Sequence, residues 1–151
     1  MYCSVYQPSQ TTLLCLSEGT LSDADWQRIY NDVVRLLQDS KQAQRDMLMV
    51  AIAHNTERPN ATWRRKLAEL RNQNQQIPRI LSVIVTPSLL LRGIITAMNW
   101  IVPAKPTEQT IAADNFEEAH AWLRQKTQDP LDYLIEMHQQ CLAMLPKRAL
   151  M

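Results

Sequence analysis

Apolar and polar residues follow two different periods along this chain, and the period switches several times. Tyr2 to Tyr6 and Thr11 to Leu16 are short runs of aromatic, β-branched and aliphatic residues, parted by Gln7-Pro8-Ser9-Gln10. Proline and serine favour a turn there, so the two runs read as strands of a hairpin. The period then changes to that of a helix. Ser22 stands three residues ahead of Asp25, the pattern of a capping box, and Trp26, Ile29, Tyr30, Val33 and Leu37 follow as one apolar stripe.

Met47 to Ala53 (MLMVAIA) and Ile80 to Val85 (ILSVIV) are nearly continuous apolar runs of strand length, as suits strands covered on both faces. Between them a loop from His54 to Asn60 contains Pro59, and a helix from about Ala61 to Gln73 carries a thin stripe of Trp63, Leu67 and Leu70. Pro87 precedes a helix from Ser88 to about Ile101, which Pro103 and Pro106 close. Gln109 to Ala112 is a short strand, Asp114 or Asn115 caps a helix from Phe116 to Gln125, and Asp129-Pro130 opens a last helix to about Leu145. The order is ββαβαβαβαα. Strands alternating with helices imply crossover units and an α/β fold with a mixed, mainly parallel sheet, to which the hairpin adds an antiparallel edge. No repeat, linker or low-complexity tract divides the chain, so a single domain is expected.

Composition narrows the class. With 151 residues, 46% apolar and 21% charged, the chain has the make-up of an ordinary globular domain. A net charge of +1 gives no pull toward nucleic acid or anionic lipid. Met1 to Tyr6 lacks the basic and apolar regions of a signal peptide, and the longest apolar stretch, Leu89 to Val102, is interrupted by Arg92 and Asn99 and too short to cross a bilayer. Cys3, Cys15 and Cys141 are odd in number and show no metal-ligand or redox spacing, so reduced thiols in a cytoplasmic protein are expected. In that setting the Asn60-Ala61-Thr62 sequon is without meaning.

Enzyme chemistry finds little support. Two glycines, Gly19 and Gly93, cannot build a glycine-rich phosphate cradle, and His54, His120 and His138 lack the spacing of metal ligands. No catalytic residue, cofactor or metal is assigned. His138 and Cys141 sit at i, i+3 on the last helix, where a packed cysteine beside a half-exposed histidine is the ordinary outcome. Arg64-Arg65-Lys66, with Arg71, covers the polar side of its helix, either as a solvated face or as a match for an acidic patch on a partner. In the helix Leu89 to Ile101, the stripe Leu90, Ile94, Met98 and Ile101 is widened by Leu91, Ile95 and Trp100. A helix on a sheet needs only one buried stripe, so the excess either lies under the C-terminal helix or binds a partner. The last helix places Leu131, Leu134, His138, Cys141 and Leu145 on one line and must dock on its own domain or on another chain.

The order of elements resembles the STAS family, the fold of bacterial anti-sigma-factor antagonists and of the cytoplasmic tails of sulfate transporters. The segments that carry the likeness are CSVYQPSQTTLLCL, MLMVAIA, RILSVIV and its following helix, and DNFEEAHAWLRQ. They span roughly 1–126, a STAS-like core, leaving 127–151 as a C-terminal helical extension of the same domain. In phospho-regulated members a hydroxyl residue in an Asp-Ser-x-Gly-like turn starts the helix after the third strand. Here that stretch is His54-Asn55-Thr56-Glu57-Arg58-Pro59-Asn60-Ala61-Thr62, without glycine, so Thr56 and Thr62 are not expected to carry a phosphorylation switch. The resemblance implies a non-catalytic protein–protein interaction module in bacterial signalling or regulation. Its expected partner is another protein, with a homodimer as one form, through Leu91, Ile95, Trp100, Leu134, Cys141, Arg64 and Arg65. The alternative is a small-ligand or lipid carrier, with an apolar pocket between the sheet and the helix Leu89 to Ile101. Deleting Leu131 to Met151 is expected to leave a folded domain with changed self-association or solubility.

Overall fold

The computed structural model describes residues 1–57, 59–72, 76–89 and 107–145, without the side chains of 71 and 72. The described residues form five strands, β1 (Tyr2–Gln7), β2 (Thr12–Glu18), β3 (Met47–His54), β4 (Ile80–Val85) and β5 (Glu108–Ala113), and four helices, α1 (Asp23–Ala43), α2 (Ala61–Asn72), α3 (Phe116–Thr127) and α4 (Asp132–Ala143). The strands lie in chain order, β1-β2-β3-β4-β5, in one sheet. β1 is antiparallel to β2, and every later pair is parallel. The expected α/β architecture with a mostly parallel mixed sheet is therefore present. A one-turn 3-10 helix, Pro8–Gln10, makes the hairpin turn and ends in Thr11 at φ 43°.

The register sorts the side chains into two layers. On one face Val5, Leu14, Val50, Val83 and Ile111 stand side by side across all five strands, and Cys3, Leu16, Ile52, Val85 and Ala113 form the next row. Phe116, Ala119 and Leu123 of α3 and Leu134, Met137 and Cys141 of α4 close over them. On the other face Leu13, Met47, Met49 and Ile80 meet Leu36 and Leu37 of α1 and Leu67 and Leu70 of α2. Two crossovers in the same direction along the sheet put α1 and α2 on one side, as crossovers of one hand must, leaving the opposite face to the C-terminal helices.

Local chemistry explains the helix ends. Ser22 Oγ accepts from the Asp25 amide at 3.1 Å while the Ser22 amide donates to Asp25 Oδ2 at 3.2 Å, which is the expected capping box. Asn115 rather than Asp114 caps α3, accepting from the Glu118 amide at 2.8 Å. Before α4 the chain turns through Leu131 at φ 53°, a left-handed conformation that costs a leucine roughly 1–2 kcal/mol. Its backbone is held from both sides. The Leu131 amide donates to Asp129 Oδ1 at 2.8 Å, and His120 Nε2–H is shared between the carbonyls of Pro130 and Leu131 at 3.1 and 3.0 Å. His120 is thus a buried strut of the turn that aims α4 back at the sheet.

Two expectations are revised here. The inward side of α1 includes Leu36 and Ser40, fully buried, and the half-buried Asp32 and Asp39, none of which belongs to the apolar stripe. More consequential is α4, which packs on β1 and β2 of its own domain. Leu134 and Cys141 are wholly inaccessible, so neither can meet a partner, and Met137 takes the inward place read for His138. The predicted helix Leu89 to Ile101 lies outside the described residues apart from Leu89, which is exposed. Among the described residues no helix is long and apolar enough to cross a membrane.

Because α4 fills the core, Leu134→Ala is expected to cost about 2–5 kcal/mol, the usual range for a leucine cavity. Deleting Leu131 to Met151 should abolish the cooperative urea transition, since Cys3, Leu14 and Leu16 would face water. A truncated chain that still unfolds cooperatively at the midpoint of the full chain would show that α4 is dispensable.

Candidate functional site

Three polar regions come from different parts of the fold. The first is a seam between β1 and α1. Alternation along β1 sends Tyr2, Ser4 and Tyr6 to the face under α1, and Asp32 and Asp39, two turns apart, meet them there. Tyr2 Oη and Ser4 Oγ both donate to Asp32 Oδ2, at 2.7 and 2.8 Å, and Tyr6 Oη donates to Asp39. Arg35 stacks over the Tyr6 ring at 4.6 Å and Arg28 over Tyr2 at 5.4 Å. Cys15, opposite Ser4 on β2, completes the group.

Burial pushes the Tyr2 phenol well above its ordinary value, and the neighbouring Cys15 and Asp32 push it further. Burial likewise lifts the Cys15 thiol from its ordinary 9.0 to about 12, with Asp32 adding to the rise. Both groups are therefore protonated at neutral pH. Tyr2 is held as a donor, and Cys15 is a thiol rather than the thiolate a nucleophile requires. The seam joins β1 to α1 through these hydrogen bonds.

The second region gathers at the C-terminal ends of β2 and β3. The Gly19 amide, at φ 68°, donates to the His54 carbonyl at 3.2 Å and brings the two strand ends together. Thr56 Oγ–H donates to the Ser17 carbonyl at 3.0 Å, so the 3.0 Å contact between the two hydroxyls has Ser17 as donor. Asn60 then caps α2, accepting from the Trp63 amide at 3.0 Å. Trp63 is buried against α1, with its indole N–H on Asp23 at 3.2 Å and its ring 6.4 Å from that of Tyr30. Anchoring Trp63 fixes the rotation of α2. As a result Arg64 and Arg65 are exposed, and Lys66 lies over the indole at 4.4 Å.

The third region is a cleft of about 310 Å³ at the N-terminal ends of the parallel strands, lined by Gln10, Arg45, Asp46, Arg79, Asp129 and Tyr133 among others. Most of its polar groups are committed. Arg79 Nε and Nη2 donate to Asp46 Oδ2 at 3.0 and 2.6 Å, and its Nη1 donates to the Lys126 carbonyl at 3.0 Å. Tyr133 Oη is 3.0 Å from Thr12 Oγ1, and Asp129 holds the Leu131 amide. The cleft ties the α3–α4 turn to the bottom of the sheet. It is not the apolar pocket expected of a carrier, which would lie against residues outside those described. Strands in chain order also leave no point among β2 to β5 where connections diverge, the place where open parallel sheets hold their ligands.

Of the residues read from the sequence as partner-binding, the structure presents Arg64 and Arg65, buries Leu134 and Cys141, and leaves Leu91, Ile95 and Trp100 outside the described set. Asp32, Asp39 and Arg79 carry no signal in the sequence, because an acid on a helix or a lone arginine before a strand reads as surface. Comparison with known protein families, with curated proteins and with solved structures finds no match for this chain.

Replacing Asp32 by Ala leaves two hydroxyls without their acceptor, one of them buried, and should cost about 2–4 kcal/mol in urea unfolding. Adding Tyr2→Phe to that variant should return part of the loss, whereas strictly additive effects would mean the two residues are uncoupled. Alkali tests the same seam. A group whose folded pKa is raised supports the fold fully below its ordinary pKa and loses that support as pH climbs through the raised one. Stability should therefore fall as pH rises from 9.0 toward 12, and Cys15→Ala should flatten the early part of that fall. A urea midpoint unchanged across this range would contradict the protonated seam.

Proposed function

We propose that this chain is a non-catalytic protein–protein interaction module of bacterial signalling or regulation, acting in the cytoplasm in the manner of anti-sigma-factor antagonists. The observation that carries the reading is the surface where β2 and β3 end and α2 begins. Trp63 anchors α2 so that Arg64 and Arg65 are exposed, with Lys66 over the indole, beside the paired strand ends at Gly19 and His54. In the family that the sequence resembles, the turn at this place carries the regulatory hydroxyl. Here Thr56 is occupied by Ser17, and the cationic row supplies the recognition instead. Such a row complements an acidic patch, where charges of opposite sign raise the association rate and select the partner.

The protonated phenol and thiol of the β1–α1 seam favour this reading over an enzyme at that place. Tyr2 is placed to donate to Asp32, and attack on a substrate by either group would first require an unfavourable deprotonation.

The test is affinity capture from the native host with wild-type chain and with Arg64→Glu/Arg65→Glu, read by mass spectrometry. Both residues are exposed, so the melting temperature should stay within a few degrees, as for most surface changes. A partner rich in acidic residues should be retained by the wild type and reduced at least tenfold by the reversed charges. Equal retention by both proteins rejects the α2 surface, and co-purification of a lipid or small molecule in place of a protein supports the carrier.

A further inference from the structure

Cys3 and Cys141 are separated by 138 residues in sequence, yet their sulfurs are 3.2 Å apart inside the core. Both are thiols in this structure. Cys3 projects from the edge strand β1, Cys141 comes from the last turn of α4, and the two elements pack directly. Each thiol also points at the other's backbone, Cys3 Sγ lying 3.7 Å from the Cys141 carbonyl and Cys141 Sγ 3.8 Å from that of Cys3. Closing the sulfurs to a disulfide bond requires them to approach by only about 1.2 Å. Cys15 cannot compete, because strand alternation sends it to the opposite face of the sheet, beside Tyr2 and Ser4.

We infer that Cys3 and Cys141 form a redox site, a dithiol that an external disulfide oxidises to an intramolecular bond locking α4 onto β1. The exchange balances in two steps. Cys3, the more accessible of the two, gives up its proton and attacks one sulfur of the external disulfide, releasing one thiol and leaving a mixed disulfide. Cys141 then gives up its proton and attacks the Cys3 sulfur, releasing the second thiol. Two protein S–H groups and one external S–S become one protein S–S and two external S–H, and two electrons pass to the oxidant. In the native fold both sulfurs are shielded, at 7% and 0% exposure for their residues, and burial pushes the Cys141 thiol up. The reaction therefore proceeds only where the last turn of α4 opens or while the chain folds and the sulfurs meet water. This inference stands apart from the proposed function, since it concerns how α4 is held and not what the α2 surface meets.

The consequence for stability is large because the bond joins nearly the whole chain into one loop. A closed loop of this size restricts the unfolded state strongly and should raise the melting temperature by roughly 10 °C.

The experiment uses the full chain with oxidised glutathione as the probe. One sample is incubated folded, and a second is unfolded in urea and refolded in the same buffer, so that burial cannot keep the reagent out. Remaining thiols are blocked with an alkylating agent, and peptides are mapped with and without reduction. The expected result in the refolded sample is a Cys3–Cys141 link, a blocked Cys15, and a melting temperature raised over the reduced chain. The shift should survive in Cys15→Ala and vanish in Cys141→Ser. The reduced wild type serves as a second control, so the comparison holds even if that last variant does not fold. Three blocked thiols per chain in both samples, a link through Cys15 or between chains, or a link that fails to raise the melting temperature would each overturn the inference.

Discussion

Leu14, Val50 and Val83 are fully buried and lie in register on the three central strands, and the rest of the molecule is arranged around that row. A slip of one residue between any two of these strands would send the row to the opposite face and place Leu13, Met49 or Ser82 beneath α3 and α4 instead. Parallel strands have no tight turn to set their pairing, so the fit of side chains on both faces must set it. The row also fixes where each helix can sit. Its neighbours Leu16 and Cys3 continue the apolar surface to the sheet edge, and α4 covers that extension. The C-terminal helix is therefore part of the condition for the fold.

The two faces of the sheet differ in kind. Beneath α3 and α4 the contacts are apolar and depend on shape. Beneath α1 they become polar toward β1, where carboxylates receive tyrosine and serine hydroxyls. Hydrogen bonds of this kind contribute modestly when made and cost more when broken, so they define geometry more than they add stability. The paired carboxylates therefore serve to hold β1, an edge strand, at one position relative to α1. Fixing β1 in turn places Cys3 against Cys141.

Among the described residues, the surface proposed above for partner binding lies at the C-terminal ends of β2 and β3. The anchoring of Trp63 turns α2 so that its cationic side faces solvent, and the Ser17–Thr56 pair holds the preceding loop to the strand end. The result is an anchored helix with exposed Arg64 and Arg65 beside the strand ends. The polar cleft at the opposite end of the strands is built from groups that satisfy one another, and its Arg79–Asp46 pair reads as a fastening of the chain.

Period and capping were legible in the sequence because they are local. The strand Ile80–Val85, the Ser22 box and the start of α2 at Ala61 all stand where the pattern puts them. Alternation and helical spacing report which side of an element is apolar, and a hydroxyl three residues ahead of an acid reports a helix start, without knowledge of anything distant. That local reading carried the α/β class, the order of the elements among the described residues and the exposure of Arg64 and Arg65. It could not carry what depends on contacts between remote residues. Asp32 and Asp39 look like solvent-facing acids until β1 supplies tyrosines above them. Leu134 and Cys141 form an apolar stripe whose partner, β1 and β2, begins over a hundred residues earlier. The proximity of Cys3 and Cys141 likewise arises only when the first strand and the last helix meet, because spacing along the chain records neighbours in sequence and the fold alone decides neighbours in space.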